Sequence, residues 1–145
     1  MQLFDEHSSI SIAIRGWQFQ DENGEEDWLI LGLSFTDARG AWKASGPFVT
    51  VEELRYLVAW MSRLARSQNA RPNPQFLEPT LEFALVRQTE EAVEIRIRLD
   101  GECLPPWRPF SGVFYDEGED YFLTLQASRG SSPPHQAHCW PKSRH

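Results

Sequence analysis

Apolar residues recur at every second position in several stretches of this 145-residue chain and at helical spacing in one only. Ile10, Ile12 and Ile14 alternate with Ser11, Ala13 and Arg15, and Trp17 and Phe19 follow after Gly16. That is the repeat of a half-buried strand. Leu29, Leu31, Leu33 and Phe35 share one face of a second strand, opposite Trp28, Ile30 and Gly32. Asn23-Gly24 between them supplies residues that tolerate positive φ in a tight hairpin turn. A turn over Asp37 to Gly40 leads to a short strand around Ala41 to Ser45 that carries Trp42. The N-terminal third therefore reads as a three-stranded antiparallel meander.

The helical stretch follows. Thr50 and Glu53 form the Thr-x-x-Glu capping box, in which each side chain satisfies the other residue's backbone N–H. Leu54, Leu57, Val58, Met61, Leu64 and Ala65 then fall on one stripe, which predicts an amphipathic helix over about 50–67. Strands resume where Leu81, Phe83 and Leu85 alternate with Glu82, Ala84 and Val86. Val93, Ile95, Ile97 and Leu99 do the same against Glu94, Arg96, Arg98 and Asp100, and Tyr121, Leu123 and Leu125 suggest a last strand at about 120–126. The expected class is α+β, a mainly antiparallel sheet (β-meander, long helix, further strands) with one packed amphipathic helix. Residues 1–127 are expected to form a single domain. Residues 128–145 (SRGSSPPHQAHCWPKSRH) hold little that a core could bury, and they read as a flexible Pro/Ser-rich tail.

Charge narrows the function classes. The formal net charge is −7, which argues against a surface built for nucleic acid phosphates or anionic lipid. No apolar run approaches the ~20 residues that span a bilayer, and acids stand where a secretory leader would carry bases. Two cysteines, Cys103 and Cys139, make no disulfide framework, so a cytoplasmic location is expected.

Few residues form a pattern with catalytic chemistry. No G-x-S-x-G, G-x-x-x-x-G-K, H-E-x-x-H or C-x-x-C occurs. His7, His135, His138 and His145 all lie in terminal segments. His135, His138 and Cys139 lack the paired spacing of a structural zinc site. Neither a metal nor a cofactor is expected. Cys103, between Glu102 and Leu104, reads as a structural thiol whose acidic neighbour raises its pKa. Glu78 and Glu82 share a strand face by their even spacing. They form an acid–base pair only if their environments differ, and Glu78 beside Pro79 reads more simply as a cap on a local turn.

Six tryptophans are many for this length. Trp17, Trp28 and Trp42 fall on successive meander strands, where a cross-strand aromatic cluster is expected. Core and core-edge packing accounts for most of the six; Trp60, off the helix stripe or at its margin, and Tyr56 are also candidate contact residues. The acidic runs are the sharper feature. Asp21, Glu22, Glu25, Glu26 and Asp27 crowd one hairpin, and Asp116, Glu117, Glu119 and Asp120 precede the last strand. Either alone is an ordinary solvated loop. Two on one small domain point to a surface for a basic protein partner, where charge sets encounter rate and partner choice.

Several of these residues together resemble the WapI family of bacterial immunity proteins. They are Gly16-Trp17-Gln18-Phe19, Asp27-Trp28-Leu29, Trp42, the helix with Leu54 and Trp60, and Pro105-Pro106-Trp107. The most specific is Phe76-Leu77-Glu78-Pro79-Thr80-Leu81-Glu82-Phe83. The resemblance covers about residues 8–110. It implies a non-catalytic cytoplasmic inhibitor that binds a cognate polymorphic toxin domain, plausibly a nuclease, of the kind delivered in contact-dependent inhibition. A general protein-interaction subunit and a small enzyme using Glu78 and Glu82 are the alternatives. The expected partner-binding residues are the nine acids of the two runs.

Overall fold

The computed structural model describes residues 1–18, 27–108 and 121–128. Four antiparallel strands make a first sheet in the order β1 (Gln2–Phe4), β2 (Ser9–Gln18), β3 (Trp28–Asp37) and β4 (Gly40–Thr50). The helix α1 (Val51–Ala65) follows directly. A second sheet holds β5 (Leu81–Gln88), β6 (Ala92–Leu99) and β7 (Tyr121–Ser128), also antiparallel, with a 3-10 turn at Gly101–Cys103 after β6. The result is an α+β fold, mainly β. Among the described residues no helix is long and apolar enough to cross a membrane. The expected tail beyond Ser128 lies outside the described residues.

Alternation decides what is inside. Leu29, Leu31, Leu33 and Phe35 of β3 are buried, as are Val93, Ile95, Ile97 and Leu99 of β6. These side chains and the helix join in one core cluster, so the two sheets share an interior.

The meander gains a strand that its sequence did not announce. Gln2, Leu3 and Phe4 pair with Ser11, Ile10 and Ser9; three residues are too few to display a period. β4 is also longer than the expected Ala41 to Ser45, running on to Thr50. Its register against β3 shifts between Leu29 and Leu31, and this irregularity takes up Pro47, which lacks the N–H a regular ladder needs. A Cβ on Gly46 would stand 3.1 Å from the Phe48 ring, so a larger residue there would press on that buried ring.

Helix α1 begins as the capping box requires. The Glu53 N–H donates to Thr50 Oγ1 at 3.2 Å and the Thr50 N–H donates to Glu53 Oε1 at 2.9 Å. The other Glu53 oxygen accepts the Leu77 N–H at 2.7 Å. The turn before β5 is thus held by Glu53, where the sequence pointed to Glu78. Thr50→Ala is expected to lower the unfolding free energy by about 1 kcal/mol. Urea unfolding checks this through a lower midpoint at unchanged slope.

The buried face of α1 is Leu57, Trp60, Met61 and Leu64, while Val58 and Ala65 are exposed. It is rotated from the expected stripe toward Trp60, which is 0% exposed and meets Phe83 edge to face. Trp60 is therefore a core residue and offers no contact surface. Tyr56 is half-buried, and its hydroxyl donates to the Pro72 carbonyl at 2.7 Å.

The expected Trp17–Trp28–Trp42 cluster does not form. Trp17 lies opposite Leu29, Trp28 opposite Gln18 and Thr50, and Trp42 opposite Phe35. Trp42 instead stacks on Phe35 and meets Trp107 and Tyr121 edge to face. Its indole N–H donates to the Cys103 carbonyl at 3.0 Å, so one ring ties β4 to the segment after β6 and to β7.

Candidate functional site

Charged groups gather at the two ends of β3. At the end where β3 begins, Asp27 is exposed, and its carbonyl accepts the Val51 N–H at 2.9 Å. Because β4 pairs with β3 and runs straight into α1, the helix start is brought to the same place. Glu52 and Glu53 lie in its first turn, where the positive end of the helix dipole favours carboxylates. Asp27, Glu52 and Glu53 thus share one end of the first sheet, where Glu52 pairs with Arg55 at 2.9 Å and Glu53 accepts the Thr50 and Leu77 N–H groups. Glu52 and Glu53 were legible only as helix-start residues, since nothing local linked them to Asp27. Asp21, Glu22, Glu25 and Glu26 lie outside the described residues, in the segment joining Gln18 to Asp27.

At the other end stand the Asp5–Ser8 and Asp37–Gly40 turns. The Asp5 carboxylate accepts the His7 and Ser8 N–H groups through one oxygen, at 2.7 and 2.8 Å. Its other oxygen accepts the Gln126 N–H of β7 at 2.8 Å. The Tyr121 hydroxyl donates to Asp37 Oδ2, and the Arg39 guanidinium lies over the Tyr121 ring, 5.8 Å from its centre. β7 is so fastened across the turns of the first sheet. A cleft of about 700 Å³ opens there, lined among others by His7, Asp37, Arg39, Arg108 and Tyr121. Sequence reasoning missed it because the lining comes from separate segments with no shared motif. Asp116, Glu117, Glu119 and Asp120 lie outside the described residues, just before Tyr121.

Asp27, the described member of the first run, and Tyr121, next to the second run in sequence, therefore stand at opposite ends of β3. Ten residues at the rise of an extended strand separate those ends by roughly 30 Å. The fold provides two anchor points instead of a single one.

The remaining candidates have structural surroundings. Glu78 and Glu82 are exposed, and Glu82 lies 3.3 Å from Arg98, whose guanidinium also approaches Asp100 at 3.7 Å. Glu82 is thus a surface ion-pair partner. Among the described residues no cluster of three or more His, Cys, Asp or Glu side chains could hold a metal ion. His135, His138, Cys139 and His145 lie outside them.

Cys103 is buried and free. Burial, with the Glu102 charge adding to it, pushes the thiol up from 9.0 to about 12, which leaves it un-ionised and poorly nucleophilic at neutral pH. The sequence reading named the acids; desolvation is the larger cause. Tyr121 is likewise raised, first by burial and then by its hydrogen bond to Asp37. Both groups fold in their neutral forms. Their contribution is complete below the unfolded-state pKa and is lost as pH rises through the folded one. Unfolding followed by circular dichroism is expected to show stability falling above about pH 9, with Cys103→Ala removing part of that fall. A profile flat to pH 12 would contradict it.

Comparison with known proteins adds one match. The family described as Immunity protein WapI-like matches residues 1–131, a longer span than the motifs alone had marked. No curated protein and no solved structure matches the chain.

Proposed function

Because this chain belongs to the WapI-like immunity protein family, we propose that it neutralises a cognate bacterial toxin by binding the toxin domain. The family match over residues 1–131 carries this reading. The toxin domain is a basic one, a nuclease, and neutralisation takes place in the cytoplasm of the cell that makes both proteins. The chain acts by occupancy and performs no chemistry on the toxin.

The contact residues are Asp21, Glu22, Glu25, Glu26 and Asp27, together with Asp116, Glu117, Glu119 and Asp120. Their carboxylates stand in for the phosphates that a nuclease attracts. Charge density supports this assignment: residues 1–30 carry seven acids and one base.

Co-expression tests the reading. Cells making the toxin domain encoded beside this gene are expected to grow only when this chain is made with it. Equal growth arrest with and without the chain would overturn the proposal.

A further inference from the structure

The cleft beside Tyr121 runs along one edge of the second sheet. β7 pairs with β6 on one side, and among the described residues no strand pairs with its other side. Register fixes which backbone groups face that open side. In an antiparallel strand the N–H and C=O of one residue point the same way, and those of the next residue point the opposite way. The Gln126 N–H points away from β6, because it donates to the Asp5 carboxylate at 2.8 Å. The β6–β7 register has no shift between Ala92–Ser128 and Leu99–Tyr121. Thr124 and Phe122 therefore face outward with Gln126, while Leu123 and Leu125 bond β6. Both Phe122 and Thr124 line the cleft. Among the described residues their outward N–H groups have no partner.

Charge narrows what those groups take. One N–H of the outward row, that of Gln126, already holds a carboxylate. Two guanidiniums line the cleft, Arg39 and Arg108, against the single carboxylate of Asp37. Both oxygens of Asp37 are engaged: Oδ1 accepts the Arg39 N–H at 2.8 Å, and Oδ2 accepts the Tyr121 hydroxyl. Arg39 is exposed, with its guanidinium over the Tyr121 ring. It pairs with no carboxylate among the described residues. A cleft that presents guanidinium and backbone donors, with its own acid already bonded, favours a carboxylate from outside.

We infer that this cleft takes an extended acidic segment of a partner protein, whose backbone pairs with Phe122 and Thr124 and whose carboxylate meets Arg39. A free anion would use the donors alone. An extended segment also uses the outward C=O groups of the same two residues, and a cleft of about 700 Å³ gives it room. The Phe122 side chain, 42% exposed, adds apolar surface for the segment's uncharged residues. The inference goes beyond the toxin-binding reading. It calls on none of the acidic contact residues proposed above, and it holds whether or not those bind a toxin.

Amide hydrogen exchange of the full chain is measured with an end-blocked peptide of alternating glutamate and valine, with its lysine-for-glutamate counterpart, and with sodium acetate. With the glutamate peptide at about ten times its Kd, exchange at Phe122 and Thr124 is expected to slow about tenfold. Leu123, already bonded to β6, stays unchanged. Arg39→Gln, a change at an exposed position, should raise that Kd about tenfold. Thr124→Pro removes an outward N–H and no bond to β6, and it should abolish protection at Phe122; Arg39→Gln serves if the proline variant does not fold. No slowing with the glutamate peptide overturns the inference, as does an unchanged Kd in Arg39→Gln. Equal protection by the lysine peptide overturns the choice of an acidic occupant. Equal protection by acetate overturns the segment in favour of a small anion. Slowing without any additive that rises with protein concentration would make a second copy the occupant, and it too overturns the inference.

Discussion

Replacing Trp42 with alanine is expected to lower the unfolding free energy by about 4 kcal/mol, a large part of the roughly 5–15 kcal/mol that holds a domain folded. Trp42 is 5% exposed, and its ring packs on Phe35, Trp107 and Tyr121 at centre distances of 5.1, 5.1 and 5.8 Å. The substitution opens a cavity between the two sheets and strips the Cys103 carbonyl of its indole donor. Trp42→Phe keeps some ring contact and loses the hydrogen bond, so an intermediate loss is expected. Trp17→Ala, on an exposed position of β2, should stay within about 0.5 kcal/mol of the parent. Urea unfolding of the three variants measures the order. A Trp42→Ala loss below about 1 kcal/mol would show that this ring does not join the sheets.

The second large effect concerns association. Converting Asp21, Glu22, Glu25, Glu26 and Asp27 together to Asn and Gln removes five like charges from one connection. If they steer a basic toxin domain, the association rate at low salt should fall on the order of 100-fold. The salt dependence of that rate should flatten with it, because screening then has less attraction to remove. Stability should hold or rise slightly, since the charges repel one another. Surface-immobilised binding at two ionic strengths measures both quantities. An unchanged rate with an unchanged salt slope would remove this run from the interface.

Local pattern was enough to read the long strands and the helix start, because burial on one face writes a period into each long element, but the single expected sheet is in fact two, of four and three strands. Ile10 and Ile12, Leu29 to Phe35 and Val93 to Leu99 alternate as their strands do, and Thr50 with Glu53 caps as its spacing implies. What escaped was set by neighbours. β1 exists because Ser9, Ile10 and Ser11 offer it an edge, and β4 continues past Pro47 because a register shift accommodates the missing N–H. Trp60 shares the Leu57, Met61 and Leu64 face, yet Val58 and Ala65 drew the expected stripe away from it. The cleft beside Tyr121 and the meeting of Asp27 with the start of the helix are assembled by strand pairing across the chain, which no short window displays. The exposure of Ile14 and Trp17 was not legible either: Ile14 follows the alternation of the buried Ile10 and Ile12, and Trp17 comes after a register shift between Ile14 and Gly16.

The central claim is that this chain silences a toxin by stoichiometric binding. The direct measurement is titration of the purified chain into the purified toxin domain encoded beside its gene, with the toxin's own activity as readout. Activity should fall in proportion to added chain and vanish near one equivalent. Full activity at a large excess would contradict the account.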